Sequence, residues 1–140
     1  MGRGRRRVIE ATLLAATISG LPSTLHAAIK RRSLRAAADY VYDATCAVGT
    51  LVPPSRPGFG RGIVVHLAIS MLCGETLART LPRDHAVEWG AGYGLVIGVI
   101  NVSVIGRSFP GIRDLPLVPQ IADNMMFGTV FAAALDRRNR

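Results

Sequence analysis

The sequence has little of what most soluble folds and metal sites depend on. Aromatic residues make up 6% of its 140 residues, and the two cysteines, Cys46 and Cys73, lie far apart inside apolar stretches. Two such cysteines form no disulfide framework, and neither has metal-ligand spacing. His-x-x-x-His, Cys-x-x-Cys and Glu-x-x-His patterns are also missing. We therefore predict no metal site and interpret both cysteines as small buried hydrophobic residues.

Signatures of catalysis and of nucleotide binding are missing as well. The chain has no G-x-S-x-G motif, no phosphate-binding loop and no credible Ser-His-Asp order. Three glycines recur in "WGAGYG", but "RDHAVE" precedes them where a dinucleotide site needs a strand. Their rhythm is G-x-G-x-G and lacks the spacing of the nucleotide fingerprint. The sequence thus predicts no enzyme, no catalytic residue and no cofactor.

What the chain has in quantity is apolar and basic residues, kept apart from each other. Apolar residues make up 49% and the net charge is +8, with sixteen arginines and a single lysine, usage typical of a high-GC bacterial genome. The basic residues form short clusters between long stretches of little charge, a pattern typical of membrane spans and their flanks. Because the clusters cap both ends of apolar stretches, they favour contact with anionic lipid head groups over nucleic acid.

Five stretches between the basic clusters have the length of helices. Four apolar ones, 8–29, 62–81, 87–106 and 117–135, have about 20 residues each, which at about 1.5 Å per residue matches the roughly 30 Å of a bilayer's hydrocarbon layer. The sequence predicts one all-α membrane domain over 1–140. It is a multi-pass bundle of four transmembrane helices, with one amphipathic interfacial helix, in the bacterial cytoplasmic (inner) membrane.

The amphipathic helix, 34–52, carries Arg35, Asp39 and Asp43 on one face and Tyr40 and Ala44 on the other. Two topologies remain open. If 8–29 spans, nine basic residues lie inside and eight outside; if 8–29 dips in at Pro22 and returns while 34–52 spans, the count is thirteen to four. The second fits the positive-inside rule better but buries two aspartates, at about 2.5 to 3.5 kcal/mol each. We favour the first.

Small residues recur at four-residue intervals in three of the predicted spans. On a helix this spacing places them on one face, where a neighbouring backbone can approach closely. We interpret the stripes as helix-packing surfaces, that is, a glycine zipper. Such surfaces are also compatible with association of the chain with itself or with another chain. The glycines of this zipper are Gly74, Gly90, Gly94, Gly98, Gly106 and Gly128.

Counting along the predicted spans places several polar residues in one layer near the outer face. They are His26, His66, Asn101, Asp123 and Asn124. Polar groups at such depth are expensive and usually face the bundle interior. One hypothesis is a site with Asp123 and His66 as a proton- or metal-handling pair, and the other is a hydrogen-bond layer that holds the helices in register. Glu10 and Glu75 are expected to pair with flanking arginines.

The segments "ISGLPSTLHA", "RGIVVHLAIS" and "IGRSFPGIRDLPLVPQIADNMMFGTVFAAAL" resemble uncharacterised small multi-spanning membrane proteins of high-GC bacteria. The resemblance covers most of the chain and implies a membrane protein, but it brings no activity. Asn124 stands where those proteins often have histidine, which speaks against a metal role. The expected function is a small structural or accessory bundle; the alternative is a small transporter or channel for protons, cations or an apolar solute.

Overall fold

The computed structural model describes residues 3–137, and all regular structure in that range is helical, as predicted. A 3₁₀ turn at Gly49–Leu51 follows the third helix, and a π-helix at Asn101–Ile105 extends the fifth. The helices are α1 (Arg3–Ile18), α2 (Leu21–Arg31), α3 (Leu34–Val48), α4 (Phe59–Thr80), α5 (Ala86–Ile100), α6 (Gly106–Ser108), α7 (Pro110–Arg113) and α8 (Leu117–Arg137).

Three helical stretches in this range are long and apolar enough to cross a membrane: Gly4–Arg31, Phe59–Thr80 and Ala86–Ser108. They overlap three of the four predicted spans and suggest that the chain associates with a membrane. Helix α8, at 21 residues, has the length of a span but is not among the three. Its first half carries Gln120, Asp123 and Asn124, which lower its mean hydropathy.

The first predicted span is two helices separated at Ser19 and Gly20. Pro22 lies in the first turn of α2, a position that needs no N–H from it. Helix α2 packs on α3 and α8, and it does not fold back along α1. The break is therefore a kink in a continuing stretch. Arg32, in the left-handed conformation, then reverses the chain into α3, whose first turn is capped by the Ser33 hydroxyl accepting from the Ala36 N–H.

Four long helices form a row in the order α4, α1, α8, α5, and the tightest packing joins α5 to α8. Helix α3 lies against both α2 and α4. Its Asp39 and Asp43 are exposed and Ala37 and Ala47 are buried, but Leu34, Val41 and Tyr42 of the same helix are exposed as well. As a result of these helix contacts, the kink between α1 and α2 and the first half of α8 lie on one side of a space, and α3 and α4 lie on the other.

The buried core is small, and many large apolar side chains lie outside it. The buried cluster between α1, α4 and α8 consists of Ala11, Ala15 and Ala16 together with Leu77, Phe127 and Phe131. Large aliphatic side chains on other faces are exposed: Ile29, Leu72 and Val118 are 70% exposed or more. Exposed aliphatic faces of this kind are typical of lipid-facing helices, because lipid tails solvate leucine as well as a core does.

Four of the predicted packing glycines line the contact between α5 and α8. A Cβ on Gly90 would meet the Gly128 carbonyl and one on Gly94 the Asn124 carbonyl, whereas one on Gly98 would lie 3.0 Å from the Ile121 Cα. Gly74 packs against the Thr12 side chain of α1. Gly106 does not continue this contact: its neighbours are Asn101 and Arg113, because the π-helix shifts the phase of the stripe before Gly106.

Candidate functional site

A cavity of about 650 Å³ lies where the kink faces α3, α4 and α8. Its walls are largely apolar, with Val41, Ile63, Leu67, Ile97 and Phe127 among them. Polar side chains from six elements and from the turn between α1 and α2 also reach it. They are Thr17, Ser19, Ser23, Thr24, Tyr40, Thr45, His66, Ser70, Asn101, Gln120, Asp123 and Asn124. Four of the five residues of the predicted polar layer thus line one cavity, and His26 is not among them.

The Asp123 carboxylate binds the beginning of α2. The first N–H groups of any helix lack an intrahelical acceptor, and here the Ser23 N–H donates to Asp123 Oδ1 at 2.9 Å. The Ser23 hydroxyl lies near the carboxylate, and it donates to the Gly20 carbonyl at 3.2 Å. A negative group at this position is stabilised by the partial positive charge of the helix N-terminus. The Asp123 carboxylate on α8 therefore provides the acceptor that the Ser23 N–H lacks at the kink, and this N–H in turn stabilises the carboxylate.

His66 meets the other side of the same kink. Its Nε2 lies 3.3 Å from the Ala16 carbonyl oxygen in the last turn of α1, where carbonyls lack intrahelical donors. The tautomer with a proton on Nε2 donates to that oxygen. His66 and Asp123 also interact electrostatically across the cavity. Broken helices with polar side chains at both free ends are tolerated at membrane depth where they line a cavity.

Tyr40 of α3 completes this group. Its phenol lies near Ser23 and interacts electrostatically with Asp123. Burial, with the nearby Asp123 carboxylate adding to it, raises the pKa of the Tyr40 phenol, although the hydrogen bond with Ser23 opposes this. The phenol therefore stays protonated at neutral pH and is able to donate a hydrogen bond.

A second polar group joins α8 to the π-helix. Asn101 Nδ2 donates to Asn124 Oδ1 at 3.1 Å, and Asn124 Nδ2 donates to the Gln120 carbonyl at 2.8 Å. Gln120 in turn donates to the carbonyls of Ile112 and Leu115, which fixes the turn before α8. π-Helical turns often occur at functional sites, and this one begins at the cavity-lining Asn101.

The remaining predicted residues lie elsewhere. His26 is exposed on α2. Glu10 and Glu75 pair with Arg6 and Arg79, at 2.9 and 2.6 Å, which confirms the prediction that they bind flanking arginines. No cluster of three or more potential metal ligands occurs among residues 3–137.

Sequence reasoning missed Ser23 and Tyr40 as members of the site. Ser23 could have been found, because it follows Pro22 at the start of a helix and so carries a free N–H. Tyr40 was assigned to the less polar face of α3, but nothing in its spacing indicates that this face meets α2. Its contact depends on the reversal at Arg32 and Ser33.

Together these features define the class: an all-helical bundle with three helices able to span a membrane, built around a kinked helix and an apolar cavity with polar groups. Comparison with known proteins adds no family to that class, since no family model, no curated protein and no solved structure matches the chain.

Proposed function

We propose that this protein is a small multi-pass carrier of the bacterial cytoplasmic membrane that binds a largely apolar small molecule in the cavity. The observation that carries the proposal is the cavity itself, because its size lies within the roughly 300–1,000 Å³ of small-molecule sites. Such sites combine apolar walls with a few polar groups that orient the ligand. Helix α8 serves as the fourth span in this proposal, since it packs between α1 and α5.

The surroundings of the bundle fit the same proposal. Helix α3, with Asp39 and Asp43 exposed, lies at the membrane interface. Arg31, Arg32 and Arg35 are exposed near its start and contact anionic head groups there. In this proposal the solute enters from the lipid phase.

The structural or accessory bundle is the second candidate, and a specific observation favours it. Asp123 and Asn124 hydrogen-bond to Ser23 and Asn101, and so join α8 to α2 on one side and to α5 on the other. Cross-helix hydrogen bonds in membranes stabilise by about 0.6 kcal/mol on average. In this function the polar groups hold helices in register, and the cavity receives no small molecule.

Filling the cavity separates the two functions. Ala44 lines the cavity from α3, whereas Ala38 is exposed on the same helix, so Ala44→Phe and Ala38→Phe form a matched pair. We expect mass spectrometry of protein purified in mild detergent to detect a copurified apolar molecule in the wild type and in Ala38→Phe. Ala44→Phe loses it while retaining normal abundance. Identical small-molecule content in the three proteins would refute the carrier proposal and favour the accessory bundle.

A further inference from the structure

The charged groups of the cavity indicate which solute it takes. Among its described lining residues Asp123 is the sole carboxylate, and neither lysine nor arginine lines it. We infer that the ligand is a lipophilic cation, a protonated or quaternary amine attached to a hydrocarbon body. This inference rests on the proposed carrier function and specifies its substrate class.

The Asp123 carboxylate accepts a hydrogen bond from Ser23 but forms no ion pair with lysine or arginine, so it is able to bind a cation. Its contacts are the N–H and hydroxyl of Ser23 and the electrostatic interactions with His66 and Tyr40, none of which is a lysine or arginine ion pair. His66 is anchored to the Ala16 carbonyl through Nε2. A ligand ammonium beside the carboxylate adds a permanent opposite charge to the electrostatic interaction that Asp123 already makes with His66.

The other cavity groups fit a cationic head. The Tyr40 ring offers a π-face and its oxygen an acceptor, and aromatic faces attract ammonium groups. Ser70 and Thr45 add hydroxyl oxygens to the lining. A phosphate or carboxylate head would instead face the Asp123 carboxylate, with no arginine or lysine at the wall to bind it. Anionic lipids are therefore excluded from this cavity, although they suit the exposed arginines of α2 and α3.

The hydrocarbon body lies against the aliphatic wall. Ile63 and Leu67 of α4 and Ile97 of α5 line it, together with Phe127 of α8. An unbranched alkyl chain fits walls of this kind without hydrogen-bonding demands, and burying its methylenes contributes to affinity in proportion to their area. The head group then decides which alkyl compound binds best.

Three probes with one alkyl chain test the charge: decyltrimethylammonium, decanol and decanoate. Calorimetric titration of the purified full chain in dodecyl maltoside, with micelles alone as the blank, gives each affinity. We expect the ammonium to bind at least about tenfold more tightly than decanol and decanoate not to bind. Asp123→Asn weakens ammonium binding about tenfold and leaves decanol binding within about twofold, because the amide still accepts from the Ser23 N–H but carries no charge.

Asp39→Asn is the matched control, since Asp39 is exposed on α3 outside the cavity lining, and it leaves all three affinities unchanged. Equal ammonium affinity in wild type and Asp123→Asn, or tighter binding of decanol or decanoate, overturns the cation assignment. If the cation assignment fails in this way but Ala44→Phe abolishes binding of whichever probes the wild type binds, the carrier proposal still stands. Absence of binding by every probe overturns the cation assignment, and identical copurified content in the Ala44 and Ala38 variants decides against the carrier as well.

Discussion

At the scale of single residues, Asp123 and Asn124 show how adjacent side chains on one helix serve different contacts. Successive residues of an α-helix point about 100° apart, so Asp123 reaches Ser23 of α2 while Asn124 reaches Asn101 at the end of α5. One dipeptide thus joins α8 both to α2 and to the π-helix that extends α5. No fully buried side-chain nitrogen or oxygen within the described part of the chain lacks a hydrogen-bond partner.

The contact between Asp123 and the start of α2 predicts different effects for two substitutions. Asp123→Asn keeps an oxygen that accepts from the Ser23 N–H, whereas Asp123→Leu leaves that N–H without its acceptor at a residue only 4% exposed. An unsatisfied buried donor costs about 1–3 kcal/mol. We expect Asp123→Leu to lower the free energy of unfolding in detergent by about this amount relative to Asp123→Asn. Equal unfolding curves for the two variants would contradict a structural role for this hydrogen bond.

At the scale of elements, the helices fall close to where hydrophobic periodicity places them. The predicted stretches 62–81 and 117–135 correspond to α4 and α8, within a few residues at each end. The sequence indicates a break at Ser19–Pro22. It does not indicate whether the chain continues past the break or folds back, because glycine and proline occur in kinks and hairpins alike. The π-helix at Asn101–Ile105 was not predicted, since one additional residue in a turn leaves no mark in composition.

Packing of α5 on α8 gives a prediction with an internal control. A Cβ on Gly94 would meet Asn124 and Met125 backbone atoms closer than real contacts allow, whereas a Cβ on Gly92 meets nothing within 4 Å. Gly94→Ala should therefore destabilise the protein by about 1–3 kcal/mol through overpacking. Gly92→Ala should be neutral or stabilising by up to about 1 kcal/mol, because alanine favours helix.

Thermal unfolding of both variants in the same detergent measures the difference. If Gly94→Ala is as stable as Gly92→Ala, α5 does not approach α8 as closely as the structure places it. Gly74→Ala, against the Thr12 side chain of α1, offers a second site of the same kind.

At the scale of the whole molecule, three of the described connections can be assigned to one end of the bundle or the other. Arg83 of the α4–α5 loop and Asp136 of α8 line one small pocket, which places that loop beside the C-terminal end of α8. At the other end, Gly111 of α7 packs on Ala47 near the end of α3. The loop after α3 is held there too, because Arg61 donates to the carbonyls of Gly49, Val52 and Pro53.

This arrangement predicts a pattern of chemical labelling. In a background without Cys46 and Cys73, we expect Ser55→Cys and Asp114→Cys to react with a membrane-impermeant maleimide on intact cells. Asp84→Cys should react only after permeabilisation, because its loop lies at the opposite end. All three positions are exposed in the structure. Labelling of Ser55→Cys and Asp84→Cys from the same side would contradict α4 as a span.

Leu72→Cys is the control for the solvent around the bundle. Leu72 is 70% exposed, so a cysteine there reacts readily if water surrounds α4 and stays unlabelled if lipid does. Rapid labelling of Leu72→Cys before permeabilisation would show that water, and not hydrocarbon, covers this face.

Local periodicity and composition are enough to predict that the chain is helical and where most helices lie. Counting along the predicted spans also indicates that His66, Asn101, Asp123 and Asn124 lie at similar depth. By contrast, long-range packing sets the continuation of α2 past the kink, the approach of Ser23 and Tyr40 to Asp123, and the position of His26 outside the cavity. Those outcomes depend on the angles at which helices cross and on the reversal at Arg32, and contacts between residues distant in sequence set both.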